Sequence, residues 1–126
     1  MENQLTIGCI EAKKPKANTN DTTKAIIIFL NYFGCTVWRQ NNGGVYDVKA
    51  KIFRKNPNAK LGVPDIIGFR RTDGKAVYVE IKTGNDKLSP AQVTFIEEAQ
   101  KAGCIALVAK SFDDFEMQWK ALYPEE

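Results

Sequence analysis

The 126-residue chain contains no histidine. That absence removes histidine-ligated zinc, serine–histidine and cysteine–histidine nucleophiles, and an imidazole general base, leaving carboxylates, lysines and metal-bound water for any hydrolytic chemistry. Cysteine is scarce. Cys9, Cys35 and Cys104 are odd in number and lack metal-ligand spacing, which favours reduced thiols of an intracellular protein over a disulfide framework. Long hydrophobic runs are missing too: the longest strongly apolar stretch, Ala25 to Leu30, is far short of a membrane span, and nothing reads as a signal peptide. The expectation is therefore a cytoplasmic protein of a microbe or of a virus-infected host cell, with no membrane partner.

What is present fits one domain. A hydrophobic content of 44% is enough for a single core, expected over residues 20–126 behind a basic, flexible N-terminal arm at 1–19. The net charge of +3 is modest but uneven, with Lys13, Lys14 and Lys16 in the arm and Lys49, Lys51, Arg54, Lys55 and Lys60 ahead of Pro64. The second group adjoins the chemical motif described below, so phosphate contact by counterion release is favoured over a merely solvated loop.

Local signals set out the elements. Asn20 or Asp21 is expected to cap a helix running through Phe33, with Ile26, Leu30 and Phe33 on its inner face and Ile28, Phe29 and Tyr32 on the opposite one. That surplus of apolar surface hints at a dimer contact, with coverage by the N-terminal segment as the alternative. A strand is expected over Cys35 to Gln40 and another over Val45 to Phe53, then a loop from Arg54 to Leu61. Ser89 and Pro90 open a helix that Gly103 ends, Cys104 to Ala109 is a short strand, and Ser111 begins a last helix to about Leu122.

Between these lies a hairpin. Ile66 to Arg71 and Ala76 to Ile81 are β-rich runs around Asp73-Gly74, a strong hairpin signal. If Thr72 faces Lys75, paired residue numbers sum to 147, which sets Asp65 opposite Lys82 with Glu80 diagonal to it. Opposed residues share a face at roughly 4.5–5.5 Å between Cβ atoms, so Asp65, Glu80 and Lys82 converge. Clustered carboxylates repel and resist desolvation; a hard divalent cation such as Mg²⁺ is the natural compensation. Taken singly, a Pro-Asp turn or a Glu-x-Lys strand is more often structural.

In combination, Gly62-Val63-Pro64-Asp65-Ile66-Ile67, Val79-Glu80-Ile81-Lys82-Thr83 and Leu88-Ser89-Pro90-Ala91-Gln92 resemble the VRR-NUC branch of the PD-(D/E)xK nuclease superfamily, in its small stand-alone form. The resemblance runs from about Asp21 to Ala109 and includes Val37-Trp38-Arg39-Gln40-Asn41-Asn42-Gly43. It implies an α/β, restriction-endonuclease-like fold, with an αβββαβ core, a mixed central sheet flanked by helices, and an insertion near residues 44–60. It also implies a Mg²⁺-dependent DNA endonuclease, with Mn²⁺ able to substitute. Asp65, Glu80 and the backbone carbonyl of Ile81 would hold the ion, and Lys82 would orient or activate the attacking water. Gln92 would stand at the edge of the site, although it fits a capping-box role equally well.

Arg39 and Asn41 would contact DNA, or else serve as a strand-edge ion pair and a turn residue. The glutamate that the family carries near its first helix is absent from Asn18-Thr19-Asn20-Asp21-Thr22-Thr23, where Asp21 is the candidate replacement. The substrate class expected is branched, Holliday-junction-like DNA, cut by a homodimer. Flap or restriction-like cleavage, and a non-catalytic nucleic-acid-binding module, are the alternatives.

Overall fold

The computed structural model describes residues 18–40, 45–54 and 60–124. The N-terminal arm up to residue 17, Asn41 and Lys55 lie outside the described residues. Helix α1 (Thr19–Tyr32) begins earlier than expected: the N-cap is Asn18, whose Oδ1 accepts from the Asp21 N–H at 2.7 Å. Asp21 is thereby a first-turn residue instead of a cap. Ile26 and Leu30 are buried as anticipated, but so is Phe29, whose ring meets those of Phe112 and Phe115 edge-on at 5.8 and 5.5 Å. Ile28 and Tyr32 alone keep the outward-facing character, at 70% and 79% exposure.

The stretch expected as one strand over residues 45–53 is instead a small hairpin, β2 (Val45–Asp47) and β3 (Ile52–Arg54), forming a sheet of its own. Asp47 breaks the run: its Oδ1 accepts from the N–H groups of Lys49 and Ala50 and closes the turn. The main sheet contains β1 (Cys35–Arg39), β4 (Ile66–Arg70), β5 (Ala76–Ile81) and β6 (Ile105–Ala109), in the order β1-β4-β5-β6. The first two pairings are antiparallel and β5–β6 is parallel. A parallel neighbour needs a crossover, supplied by α2 (Pro90–Lys101); α3 (Phe112–Leu122) follows β6. Setting aside the β2–β3 insertion, the core order is αβββαβ.

Strand β5 explains the layering. Val77, Val79 and Ile81 pack with Ile26, Leu30, Phe115 and Trp119 from α1 and α3. The period-two alternation of a strand sends Tyr78 to the other face, against Phe95 of α2 with ring centroids 4.9 Å apart. Glu80 and Lys82 share that second face.

The hairpin register corrects the expectation. Arg70 N–H donates to Lys75 O and Gly74 N–H to Arg70 O, each at 2.8 Å, so the loop is Arg71-Thr72-Asp73-Gly74 and Thr72 does not face Lys75. Observed pairs such as Ile66↔Val79 sum to 145. The physical reason is Gly74, which supplies the left-handed residue (φ 76) at the end of a four-residue loop instead of sitting at the centre of a shorter one. Both sums are odd, so the same side chains share a face. Only their order changes: Asp65 continues the register opposite Glu80, and Lys82 becomes the diagonal neighbour.

Two close approaches fix the strands that carry these residues. A Cβ on Gly68 would lie 2.0 Å from Thr36 O on β1, and one on Gly62 would lie 2.3 Å from Ala91 O at the start of α2. Overpacking typically costs about 1–3 kcal/mol, and backbone cannot swing aside as a side chain can. Gly68→Ala is therefore expected to lower unfolding free energy by about 3 kcal/mol, read from urea denaturation.

Candidate active site

The β4–β5 ladder stops at Ile66↔Val79. At the next step the Asp65 side chain takes the place of a backbone acceptor, with Oδ2 accepting from Ile81 N–H at 3.0 Å. In an extended strand a residue's N–H and C=O point the same way, so the Ile81 carbonyl is aimed toward Asp65. On its other side β5 stays paired, Lys82 N–H donating to Ala109 O at 2.9 Å. Glu80 is 3% exposed. Its Oε2 accepts from Gln92 Nε2 at 3.1 Å and lies 3.7 Å from Lys82 Nζ, while Oε1 is buried without a hydrogen-bond partner. Asp65, Glu80, Lys82 and Gln92 thus converge on the α2 face of the sheet.

Gln92 makes the capping contacts anticipated for it and also reaches Glu80. Its Oε1 accepts from Ser89 N–H at 2.8 Å, while Ser89 Oγ accepts from Gln92 N–H at 3.2 Å, completing the capping box. Its amide nitrogen remains for Glu80. The cap therefore fixes the orientation of the amide that holds the carboxylate.

The VRR-NUC domain model matches residues 39–113, more than half of the chain. This chain belongs to the VRR-NUC family. Among solved structures, a VRR_NUC domain protein is similar in fold, with a TM-score of 0.54 and 21% identity over 84% of this chain and 90% of that one. No curated protein matches. Membership places the chain in the nuclease superfamily, and the four-stranded mixed sheet with three helices is the fold the two chains share.

In this VRR-NUC chain the electrostatics of the pair are unusual. The Glu80 carboxyl is pushed up from 4.5 to about 7, first by burial and then by the negative charge of the neighbouring Asp65; Lys82 opposes the shift. Two facing carboxyl groups that cannot readily ionise together, one with an unsatisfied buried oxygen, form a hard-oxygen donor set. A divalent cation fits it.

The remaining candidates fall around this centre. Arg39 lies at the end of β1 and donates through Nη1 to Asn20 Oδ1 at 2.7 Å; its neighbour Gln40 N–H donates to Asp65 O at 2.7 Å. Asn20, expected as a helix cap, instead holds Arg39, and Thr19 was given no role in the sequence, although its hydroxyl lies 2.6 Å from that of Thr83 just beyond Lys82. No local signal marks either contact, because both are long-range. Asp21 does not join the carboxylate pair: among the described residues no group of three or more metal-ligating side chains occurs. Asp21 instead lines a separate cleft of about 820 Å³ with Thr83, Lys110 and Asp113. Lys60 is exposed beside the start of α2, Lys49 and Lys51 are exposed in the β2–β3 turn, and Arg54 ends β3.

A carboxyl raised in the folded state makes the folded chain hold an extra proton between pH 4.5 and about 7. Stability therefore falls as pH rises through that window, by on the order of 3 kcal/mol. In EDTA, Glu80→Gln is expected to abolish this slope and to exceed the parent stability at pH 8 by a similar amount, with the difference vanishing near pH 4.5. Urea unfolding at pH 4.5, 6 and 8 provides the check.

Proposed function

We propose that the chain is a Mg²⁺-dependent endonuclease that hydrolyses phosphodiester bonds of branched DNA as a homodimer, with Mn²⁺ able to replace Mg²⁺. The observation that carries this reading is Glu80: a buried carboxyl with an orphaned oxygen, facing Asp65, with Lys82 beside it. Burial of such a group is costly unless a charge compensates it. Asp65, Glu80 and the Ile81 carbonyl are the residues that would hold the ion. When bound, it supplies Lewis acidity toward a phosphoryl oxygen and lowers the pKa of coordinated water.

The side chains divide the remaining work. The Lys82 ammonium orients the attacking water and stabilises the negative charge that grows on the phosphoryl group in the transition state. Its 3.7 Å separation from Glu80 Oε2 keeps it at the carboxylate without a tight pair to break. Gln92 holds Glu80 in orientation, and Arg39, fixed by Asn20, offers a guanidinium to the DNA backbone at the neighbouring strand end. The exposed apolar surface of Ile28 and Tyr32, continuous with Phe29 and Phe112, supports self-association. A two-fold dimer presents two active sites, the requirement for paired incisions across a junction.

The decisive assay follows labelled four-way junction, flap, single-stranded and linear duplex DNA with Mg²⁺, Mn²⁺ or EDTA. Metal-dependent junction cutting is expected; a folded protein that binds these DNAs and cuts none of them sinks the nuclease reading. Lys82→Ala is expected to lower the cleavage rate by about 10²–10³-fold while calorimetry shows metal binding retained, whereas Asp65→Ala loses the binding itself. Because Glu80 must shed its proton to ligate a cation, Mn²⁺ affinity should rise about tenfold per pH unit up to about 7 and then level off. A titration series between pH 5.5 and 8.5 tests this.

A further inference from the structure

The β2–β3 hairpin forms a sheet separate from the one carrying Asp65 and Glu80. Its turn, Val48-Lys49-Ala50-Lys51, has the same plan as Arg71-Thr72-Asp73-Gly74: four residues between paired ends, the last in the left-handed region. At the second turn that residue is Gly74 (φ 76); at the first it is Lys51 (φ 57), the one non-glycine residue with positive φ among those described. A lysine held where glycine would be unstrained is a reason to look for a function.

The turn is also ordered from beneath. Asp47 Oδ1 accepts from Lys49 N–H and Ala50 N–H at 3.0 Å each, and Asp47 O accepts from Lys51 N–H at 2.7 Å. The result is a fixed tip on which Val48 is 76% exposed, Lys49 and Lys51 are exposed, and Ile52 behind them is 48% exposed. One exposed valine is unremarkable in itself. Presented on an ordered tip and flanked by two lysines, it has the chemistry of a wedge: ammonium groups for phosphates, a stiff branched hydrocarbon for the gap between base pairs.

The reach is adequate. Gln40 is bonded to Asp65 at the active-site end of the sheet, and the five steps from Gln40 to Val45 span at most about 18 Å. The hairpin adds about 10 Å, and the Gln40–Asp65 pairing about 5 Å, so the tip lies at most roughly 33 Å from Asp65, comparable to the ~34 Å of one duplex turn.

We infer that the β2–β3 hairpin is a wedge that unstacks a base step of the bound DNA, Val48 inserting while Lys49 and Lys51 hold the flanking phosphates. This rests on the reading of the chain as a DNA-binding nuclease and adds to it the contact by which a distorted or branched site is distinguished from plain duplex.

The test uses the full chain in EDTA, so that binding is read without cleavage, and a four-way junction carrying 2-aminopurine beside the branch point. Saturating wild-type protein is expected to raise 2-aminopurine fluorescence severalfold. Val48→Ser should bind within about twofold of wild type yet lose most of that rise. The double substitution Lys49→Ala, Lys51→Ala should weaken binding at least tenfold and reduce the slope of log affinity against log salt by about 2, one per lost phosphate contact. Equal fluorescence for wild type and Val48→Ser, or no rise at saturation, overturns the wedge. Mg²⁺-dependent cleavage by wild type, measured separately, keeps the two ideas distinguishable: cutting without a Val48-dependent rise removes only the wedge, and a Val48-dependent rise without cutting removes only the nuclease.

Discussion

Where the β4–β5 ladder ends, an Asp side chain substitutes for the next backbone acceptor and is set opposite a buried Glu. Asp65 Oδ2 holds the Ile81 N–H, and the register that continues from Ile66↔Val79 brings Glu80 across from it. The rest of the structure serves this opposition. A carboxyl 3% exposed, with one oxygen unpartnered, is an unfavourable feature that a fold retains only if its surroundings hold it in place. Here the surroundings are the Val77, Val79 and Ile81 core on one face and α2 on the other.

Strand β5 joins stability and chemistry through its alternation. Odd-numbered residues anchor it to α1 and α3, and even-numbered ones run from Tyr78, packed on Phe95, to Glu80 and Lys82. The crossover that lets β6 pair in parallel also delivers Gln92 to Glu80, and the capping box that starts α2 orients the Gln92 amide. Gly62 lets the chain entering β4 lie against Ala91, so both partners of the contact are fixed by one close approach. In this arrangement, the helix start, the approach loop and the strand end are a single packing unit around the carboxyl pair.

Most of the architecture was legible because its signals are local. Ser89, Pro90 and Gln92 specify a helix start by spacing alone, Ser111 marks another, and both helices begin where expected. The Asp73-Gly74 pair marked the hairpin, but a glycine can occupy more than one position in a loop, so the register was misread by one step on each strand. The grouping of Asp65, Glu80 and Lys82 survived because only parity decides which face a side chain takes. The long strand expected over residues 45–53 failed for a related reason: partial alternation does not reveal that Asp47 will fold back on the backbone. Phe29, expected outward, is buried because α3 lies across α1, which no property of α1 announces.

The sequence by itself determined the chemistry available: no histidine, two carboxylates and a lysine on strands of fixed alternation, and a glutamine placed by a capping box. These depend on residue type and on spacing of a few positions, which the chain carries locally. Only the tertiary structure decided that Asp65 opposes Glu80, that Asn20 holds Arg39, that Thr19 meets Thr83 and that Asp21 stands apart in another cleft. Those outcomes depend on how α1 and α2 pack across the sheet, and burial also raises the Glu80 pKa, a property of the surrounding atoms and not of the residue.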